Sequence, residues 1–404
     1  MTAKTTTEPK KIIILGAGVV GLTSAYALVQ EGYNVHVVDT APEPATGASR
    51  SNGFQLSYGY LAPPFTFWEA VQRFKNLVQG TDPKTAVAHI KRGELLRNWP
   101  WFARALWQTL PFNYRRNFRD ILKLGQLSQF TLQAFLSGDG KDFDFNFSTQ
   151  GKLVVEAQKS KLTDDFYRAQ YITAETGWPA EKFGRKKCYE AVPFLEHSGV
   201  EIAGGVYSEN NYAGNCVAFC QQLAKLLEEK FGVTFTFNAP HASLDHYTAE
   251  ADAVVVACGI SAKSMLKTKG IRAPIYPVKG YSFDFERIAP QHVYLTYKPK
   301  GFVISDMGTS TRVSGFADFV GFETSDDATR QQALLNNVQS LFPNQKLKIV
   351  GEYMAFRPMT PHGLPIVKQT RHKKIFVNIG HGMYGWTLAH GTAHKLAELI
   401  KKRV

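Results

Sequence analysis

The segment from Lys11 to Asp39 limits the possible folds of this chain more than any other. It reads KIIILGAGVVGLTSAYALVQEGYNVHVVD: an apolar strand, a glycine-rich turn, a helix rich in Ala, Leu and Val, and a second apolar strand. Parallel strands joined by a helix are buried on both faces, so they are continuously apolar rather than alternating. The segment therefore predicts a βαβ unit within a parallel sheet, and an α/β fold class.

The turn after the first strand has the spacing GxGxxG, formed by Gly16, Gly18 and Gly21, and Asp39 ends the second strand. Gly16 permits a tight turn, Gly18 lets a diphosphate approach the backbone, and Gly21 lets the helix and strand pack closely. An acidic residue at the end of the second strand can accept hydrogen bonds from both ribose hydroxyls. The pattern predicts a dinucleotide site, and the acid favours FAD or NAD over NADP.

The number of such motifs helps to choose between these two dinucleotides. No second GxGxxG occurs in the chain. A flavoprotein reductase that oxidises NAD(P)H commonly carries two dinucleotide folds, one for each nucleotide. We therefore expect one non-covalently bound FAD that reacts with an external substrate.

The rest of the chain predicts a second, interleaved domain. The helix-like CVAFCQQLAKLLEEKFG, followed by VTFTFN and ADAVVVACG, returns to the parallel sheet. From Tyr276 to about Phe322 apolar residues alternate with period two, which is typical of antiparallel strands. We predict a Rossmann-like FAD-binding domain interleaved with an α+β substrate domain built on an antiparallel sheet. The predicted boundaries give the FAD-binding domain residues 10–62, 200–262 and 345–404, and the substrate domain residues 63–199 and 263–344.

Positive charge and tryptophan are concentrated between Phe65 and Lys123. This segment has eleven Lys or Arg against four Asp or Glu. It also holds four of the six tryptophans, Trp68, Trp99, Trp101 and Trp107. Such a mixture suits a membrane interface, where indoles lie at headgroup depth and cations meet anionic lipid. The alternative is a helical insertion, at about 65–135, whose aromatic residues are core and whose charges are solvated.

The sequence favours a cytoplasmic protein. No run of about 18 apolar residues occurs, and the opening MTAKTTTEPKK lacks the hydrophobic centre of a signal peptide. Peripheral contact with the inner face of the cell membrane stays open as an alternative. The net charge of +13 also suits nucleic acid, but no nucleic-acid-binding module is recognisable, so we expect no such partner.

Two histidines near the C-terminus resemble a metal pair. His390 and His394 lie four residues apart in HGTAH, a spacing that puts both imidazoles on one side of a helix. A zinc hydrolase would need a glutamate after the first histidine, where Gly391 stands. The glycines before them predict a strand end, a turn and a helix start, so we expect no metal.

Three separated stretches resemble one family. They are ASRSNGFQLSYGY at 48–60, PIYPVKGYSFDF at 274–285, and FRPMTPHGLPIV followed by NIGHGMYGWTLAHG at 356–391. Together they resemble the FAD-dependent D-amino acid oxidase superfamily, and within it the bacterial D-amino acid dehydrogenase branch of the small-subunit type. The resemblance runs from Lys11 to about Leu399. Phe54 stands where the family usually has glycine, and His362 where it typically has aspartate.

The resemblance implies where FAD binds. The loop at 48–60 would wrap the diphosphate and flavin, the segment near 241 would pass the adenine, and the turn at 257–259 would pack against the phosphates. The N-terminus of the last helix would direct its N–H groups at the flavin edge where negative charge gathers on reduction. Together with the glycine turn, these segments imply FAD contacts from Gly16, Gly18, Val19, Val20, Gly21, Asp39, Ala48, Ser49, Asn52, Gly53, Gln55, His241, Ala257, Gly259, His381, Gly382, Met383, Tyr384, Gly385, Trp386 and Thr387.

The resemblance also implies a reaction. Arg357 would clamp the substrate carboxylate, because a guanidinium binds carboxylate with two parallel hydrogen bonds. Tyr281 would bind the same carboxylate, Tyr60 would close the pocket, and the carbonyl of Met383 would accept from the amine. A hydride passes from the D-amino acid to flavin N5, and water hydrolyses the imine to a 2-oxo acid and ammonia. No side chain is expected to act as the general base, and Lys279 is assigned a structural part.

The electron acceptor is the open point of this reaction. The dehydrogenase branch implies a quinone or another carrier in place of oxygen. The alternative is an oxidase that uses O2 and acts on glycine, sarcosine or a cyclic amino acid.

Overall fold

The computed structural model describes residues 9–67, 69–72, 82–239, 243–288 and 293–404. Its strands are β1 (Lys11–Leu15), β2 (Asn34–Val38), β3 (Gln55–Leu56), β4 (Lys152–Glu156), β5 (Glu181–Gly184), β6 (Gly204–Ser208), β7 (Tyr212–Ala213), β8 (Thr234–Thr236), β9 (Ala253–Val256), β10 (Tyr276–Glu286), β11 (Tyr294–Tyr297), β12 (Phe302–Asp306), β13 (Ser310–Asp318), β14 (Ile349–Met359), β15 (Ile366–Gln369) and β16 (Ile375–Ile379). Its helices are α1 (Val19–Gln30), α2 (Arg92–Arg97), α3 (Trp99–Gln108), α4 (Pro111–Ser137), α5 (Lys159–Thr176), α6 (Arg185–Ala191), α7 (Cys216–Phe231), α8 (Leu244–Glu250), α9 (Ala262–Lys267), α10 (Asp327–Gln339) and α11 (Gly385–Lys401).

The first sheet has the strand order β15-β16-β9-β1-β2-β8 within the described residues. Its strands are parallel except for β15, which pairs antiparallel with β16. Apolar side chains of α1, α7 and α11 pack on one face, and those of α8 and α9 on the other. Burial on both faces explains why β1 and β9 are almost wholly apolar. The predicted parallel sheet is confirmed.

The second sheet has the order β14-β10-β13-β12-β11-β4-β6-β5 in the same described part of the chain. Its strands are antiparallel except that β4 runs parallel to β11. One face packs against α6 and α10, and the other meets residues 50–55 of the loop after β2. The period-two alternation after Tyr276 therefore does mark antiparallel strands, and the predicted fold class is confirmed.

Two strands lie in a different sheet from the one that the predicted boundaries imply. Strand β14 pairs with β10 along most of its length, and β6 pairs with β4 and β5. Both are therefore strands of the second sheet, although residues 200–262 and 345–404 were assigned to the FAD-binding domain. Cross-strand pairing joins segments far apart in sequence, and the local pattern carries no signal for it. The division into two domains stays a prediction.

The aromatic and basic segment is helical in α2, α3 and α4, as predicted, whereas residues 82–91 form turns, bends and one isolated bridge. Helix α4 is core from Phe118 onwards, where Phe118, Leu122 and Leu132 are buried. It crosses α11 closely, because a Cβ on Gly391 would lie 2.9 Å from the carbonyl oxygen of Leu124. The segment is thus part of the main core at its C-terminal end. Trp68 lies outside the described residues.

Candidate cofactor and substrate site

The glycine turn after β1 has no room for side chains. Gly16 has a φ of +116°, and a Cβ there would lie 2.7 Å from the carbonyl oxygen of Ala257. A Cβ on Gly21 would lie 1.8 Å from the carbonyl oxygen of Gly16. Gly18 is the N-cap of α1, so the first N–H groups of that helix face the turn. This close approach of backbone, with a helix N-terminus beside it, fits a diphosphate.

The acidic residue lies where the ribose of a dinucleotide would be held. The carboxylate of Asp39 accepts hydrogen bonds from the backbone N–H of Ala17 at 2.6 Å and of Ala41 at 2.9 Å. These bonds fix the carboxylate beside the glycine turn. The hydroxyl of Ser49 accepts from the N–H of Val19 at 3.0 Å, which brings the loop at 48–60 to the same helix N-terminus. The structure therefore brings together Gly16, Gly18, Val19, Gly21, Asp39, Ser49 and Ala257. Their contacts with FAD stay a prediction.

Residues 52–55 link the glycine turn to the second sheet. The Asn52 amide donates to the Ser49 carbonyl at 3.0 Å and accepts from the N–H of Phe54 at 2.9 Å. The Gly53 carbonyl accepts from the Ser305 hydroxyl at 2.8 Å, and a Cβ on Gly53 would lie 2.6 Å from Val303. This segment therefore lies flat on β12, with glycine at the tightest point.

Gln55 holds the next part of this loop. Its amide nitrogen donates to the backbone carbonyls of Leu295 and Ile304, at 3.3 and 3.2 Å. Its Oε1 atom is buried and has no hydrogen-bond partner among the described residues. Buried polar atoms are nearly always satisfied, so this oxygen fits a donor supplied by a bound group.

Phe54, the departure from the family's glycine, has a φ of +58° and is buried. The Arg312 guanidinium lies 4.1 Å from the centre of its ring and is itself held by the Asp284 carboxylate. A positive φ costs a non-glycine residue about 1 kcal/mol. Burial of the ring and its contact with the cation offset that cost. The loop therefore keeps a conformation suited to glycine while it carries an aromatic side chain.

The glycine-containing turn before α11 leads into a helix start that is joined to the loop at 48–60. Gly380 and Gly382 have φ values of +82° and +56°. The hydroxyl of Thr387 in the first turn of α11 accepts from the N–H of Ser57 at 3.0 Å, which joins this helix start to the loop. The Trp386 indole donates to the carbonyl of Gly214 at 3.2 Å, so that side chain is core. Helix α11 begins at Gly385, as predicted.

Arg357 lies on the face of the second sheet that meets residues 50–55. It pairs with Val278 across β14 and β10, so it shares a face with Ser282, whose hydroxyl donates to the Ser51 carbonyl at 3.0 Å. The guanidinium donates to the Phe316 carbonyl at 2.6 Å. Among the described residues no carboxylate forms an ion pair with it. Burial lowers the pKa of Arg357, but a guanidinium remains charged. The strand ends at Met359, which bridges to His381 in the turn before α11.

Gly280 was not predicted as a site residue, yet it makes room for this guanidinium. A Cβ at Gly280 would lie 2.3 Å from one terminal nitrogen of Arg357. The backbone there does not have a positive φ, so alanine is compatible with the strand. No local pattern announces this contact, because it depends on the register between β10 and β14.

We expect Gly280→Ala to lower kcat/KM for an amino acid roughly 10- to 100-fold while the unfolding temperature changes by only a few degrees. The new methyl group meets the flexible end of a side chain, so the guanidinium moves and the fold stays, and a displacement of about 1 Å costs up to about 10²-fold in rate. Steady-state kinetics and thermal unfolding measure the two effects. The matched control is Gly47→Ala, where a Cβ would meet nothing within 4 Å. Unchanged kinetics in Gly280→Ala would contradict the placement of Arg357.

The prediction that Tyr281 binds the substrate carboxylate is not supported by its position. Its side chain lies on the opposite face of β10, where its hydroxyl donates to Asp327 of α10 at 2.9 Å. Lys279 lies on that face too and forms an ion pair with Asp327, which agrees with its structural assignment. Successive residues of a strand alternate between faces. Val278 and Gly280 lie on the face of the sheet that carries Arg357, so Lys279 and Tyr281 lie on the opposite face. Burial and the nearby Asp318 and Asp327 carboxylates raise the pKa of Tyr281, so its hydroxyl stays protonated.

Tyr60 and Met383 both lie near the start of α11, and their predicted roles stay predictions. Tyr60 follows the loop that meets α11, and the neighbouring Ala62 carbonyl accepts from the Tyr384 hydroxyl at 3.2 Å. Burial raises the pKa of the Tyr60 phenol, so it is neutral. Met383 lies in the turn before α11 with half of its surface exposed, which leaves its surroundings open to a ligand.

The histidines of the C-terminal segment are structural. The imidazole of His381 is hydrogen-bonded to the hydroxyl of Thr392 at 3.0 Å. His390 is buried between Phe135 and Phe219, and His394 is exposed. Burial lowers the pKa of His381 and of His390 to about 3. Among the described residues no group of three or more potential ligands could hold a metal. The predicted adenine contact at His241 lies outside these residues.

Comparison with known proteins agrees with this geometry. The model of one family, described as FAD dependent oxidoreductase (DAO), matches residues 11–399. Two curated relatives named D-amino acid dehydrogenase, from Rhizobium johnstonii and Vibrio cholerae, are 32% and 31% identical over 96% of this chain and 95% and 94% of theirs. The fold is similar to that of glycine oxidase from Geobacillus kaustophilus, with a TM-score of 0.73, 18% identity and coverage of 98% of this chain and 96% of that one. The chain therefore belongs to the DAO family of FAD-dependent oxidoreductases, and its cofactor is FAD.

Proposed function

We propose that this protein oxidises D-amino acids to 2-oxo acids and ammonia and passes the electrons to a quinone. The observation that carries the proposal is Arg357, a charged side chain with no carboxylate partner among the described residues, on the face of the second sheet that meets the FAD loop. Arg357 is half-buried, and a cation removed from water without a counter-ion is costly, so a carboxylate from the substrate is its natural partner. The names of the two curated relatives support the same substrate class.

The residues of the chain mainly bind and orient the substrate in this proposal. Arg357 holds the carboxylate with two charge-assisted hydrogen bonds, which fixes the α carbon beside the face of the second sheet that meets the loop. Bound FAD would supply the oxidising chemistry as the hydride acceptor. The substrate ammonium loses one proton to solvent and its α carbon loses the hydride, which leaves an imine. Water then adds to the imine and releases ammonia. In this proposal the backbone carbonyl of Met383 accepts a hydrogen bond from the substrate amine.

The choice between a quinone and oxygen is tested by following the products. With D-alanine and a short-chain quinone, we expect one 2-oxo acid, one ammonia and one quinol for each turnover, and hydrogen peroxide in air at a small fraction of that rate. Peroxide formed at the rate of turnover would make the protein an oxidase, which is the alternative function. The same assays with glycine, sarcosine and D-proline test whether the protein prefers the substrates of the alternative, an oxidase.

A surface patch supports contact with a membrane, where quinones are found. We call it the α3 patch and define it by the exposed side chains Leu96, Trp99, Leu106, Trp107 and Phe112. Arg97, Arg104, Arg115, Arg116 and Arg119 are exposed around it. Exposed indoles among arginines fit an anionic bilayer surface. No helix in the described ranges is both long and apolar enough to cross a membrane.

A groove of about 410 Å³ lies next to the α3 patch, at the junction of α3 and α4. Its walls are largely apolar and include Leu110, Pro111 and Tyr114, with Arg115 at the rim. Its size and apolar walls suit a flat apolar ring of the quinone type. Electrons could then leave the protein on the side that meets the bilayer.

We expect the double variant Trp107→Ser, Phe112→Ser to bind vesicles that contain phosphatidylglycerol at least 10-fold more weakly than the unchanged protein. The loss of two exposed aromatic side chains, at about 1.5–3 kcal/mol for each one fully buried, is sufficient for this effect. Co-sedimentation measures the binding. Phe130→Ser is the matched control, because Phe130 is 69% exposed but lies 18 residues further along α4. Equal binding by the double variant and the unchanged protein would contradict membrane contact through the α3 patch.

A further inference from the structure

Lys152 is a buried lysine that the proposed reaction does not use. It is the first residue of β4, and only 3% of its surface is exposed. Its ammonium donates to the Ser57 hydroxyl at 3.1 Å and lies 4.5 Å from the centre of the Tyr60 ring. Burial lowers its pKa to about 7. No carboxylate pairs with it in the part of the chain that the structure describes.

Two other lysines, Lys279 on β10 and Lys298 directly after β11, have carboxylate partners, although Lys298 is partly exposed. Lys298 pairs with Glu156 at 3.2 Å and with Asp165 at 2.6 Å, and Lys279 pairs with Asp327 at 2.7 Å. Lys152 has only a hydroxyl and an aromatic ring. Burying a charge without a counter-ion costs several kcal/mol. The cost of burying the Lys152 ammonium is reduced if a bound ligand carries negative charge close to it.

The position of Lys152 limits which negative charge this can be. Strand β4 is sixth in the second sheet and β14, with Arg357, is first. Neighbouring strands lie about 4.8 Å apart, so the two strands are separated by roughly 24 Å. One small carboxylate cannot reach both cations. The anion near Lys152 is therefore a different group from the carboxylate that Arg357 would hold.

The contacts of Ser57 indicate what that group is. Ser57 accepts from Lys152 through its hydroxyl, and its backbone N–H donates to the Thr387 hydroxyl in the first turn of α11. The N-terminus of α11 carries a partial positive charge of its own. Two sources of positive charge thus meet beside the loop and helix start that contact the flavin in the predicted site. Reduction by two electrons places negative charge on the pyrimidine ring of a flavin.

We propose that Lys152, together with the N-terminus of α11, stabilises negative charge on the pyrimidine ring of reduced FAD. It does so through the field of its ammonium and through the orientation of the Ser57 hydroxyl. The inference requires bound FAD, but it does not depend on which amino acid is the substrate. It is therefore separable from the proposed function.

The test measures the flavin itself rather than turnover. Sulfite adds to N5 and places negative charge on the same ring, so its dissociation constant reports the positive charge nearby. We expect Lys152→Met to bind FAD and to raise the sulfite dissociation constant at least 10-fold. The midpoint potential should fall by about 30 mV for each factor of ten, since a tenfold change corresponds to that shift in a two-electron couple. Lys152→Arg should recover most of both quantities.

Lys182→Met is the matched control, because it removes the same charge from an exposed position on β5 of the same sheet. It should leave sulfite affinity and potential unchanged. If Lys152→Met retains FAD with sulfite affinity within twofold of the unchanged protein, the proposal is wrong. If Lys152→Met loses FAD, the same sulfite measurement is made on Lys152→Gln, which keeps a hydrogen-bond donor without the charge. The same twofold criterion then applies. A change only in KM for acidic amino acids would also overturn the proposal, since the cation would then bind a substrate side chain.

Discussion

Replacing Arg357 with methionine should lower kcat/KM for D-amino acids by roughly 10³-fold while FAD remains bound. Removing one partner of a buried, hydrogen-bonded charge pair costs about 2–5 kcal/mol, and each 1.4 kcal/mol is a factor of ten. The guanidinium touches the Phe316 carbonyl and the edge of Gly280 rather than the glycine turn, so flavin binding should persist. Steady-state kinetics over a range of substrate concentrations measure the loss.

Two further variants separate charge from geometry at this position. Arg357→Lys keeps the charge but loses the planar pair of donors, so its kcat/KM should fall between those of the methionine variant and the unchanged protein. Arg272→Met removes an arginine from an exposed position and should leave kinetics unchanged. If Arg357→Met turned over D-alanine as fast as the Arg272→Met control, Arg357 would not be the carboxylate clamp.

Gly21→Ala should yield a protein that does not retain FAD. The added methyl group would lie 1.8 Å from the carbonyl oxygen of Gly16, a backbone atom, and neither residue can move without displacing β1 or α1. Overpacking of this kind typically costs about 1–3 kcal/mol and displaces the backbone that approaches the diphosphate. The flavin absorbance of the purified protein and its thermal unfolding measure both effects.

Gly47→Ala is again the appropriate control, since a Cβ there meets nothing within 4 Å and the residue lies in the same loop region as Ser49. It should keep FAD and the original unfolding temperature. A yellow, stable Gly21→Ala protein would show that the glycine turn tolerates a side chain, and would remove the physical basis for this cofactor site.

Local sequence patterns were sufficient to predict the parts of the site that are formed by residues close together in the sequence. The turn at Gly16, the acid at Asp39 and the start of α11 at Gly385 each follow from a strand, a turn and a helix in immediate succession. Their signals are glycine spacing and hydrophobic period, and both act over a few residues. The structure places all three as predicted.

The assignment of Tyr281 shows where such patterns stop. Period-two alternation separates the two faces of β10, but it does not say which face meets the FAD loop and which meets α10. That choice is made by the Ser282 hydroxyl bonded to Ser51 and by Asp327 on the helix, which are distant in sequence. Gly280 and Lys152 were missed for the same reason. The clearance of Gly280 depends on β14, and the burial of Lys152 depends on Ser57 and Tyr60.

Anaerobic reduction of the bound flavin tests the central claim most directly. The unchanged protein and Arg357→Met are titrated with D-alanine and then, in separate samples, with L-alanine, and the flavin absorbance in the visible range is recorded. We predict that D-alanine bleaches the flavin of the unchanged protein, that L-alanine does not, and that Arg357→Met needs a far higher concentration of D-alanine. A flavin that dithionite reduces but that no D-amino acid bleaches, or that L-alanine bleaches equally well, would contradict the account.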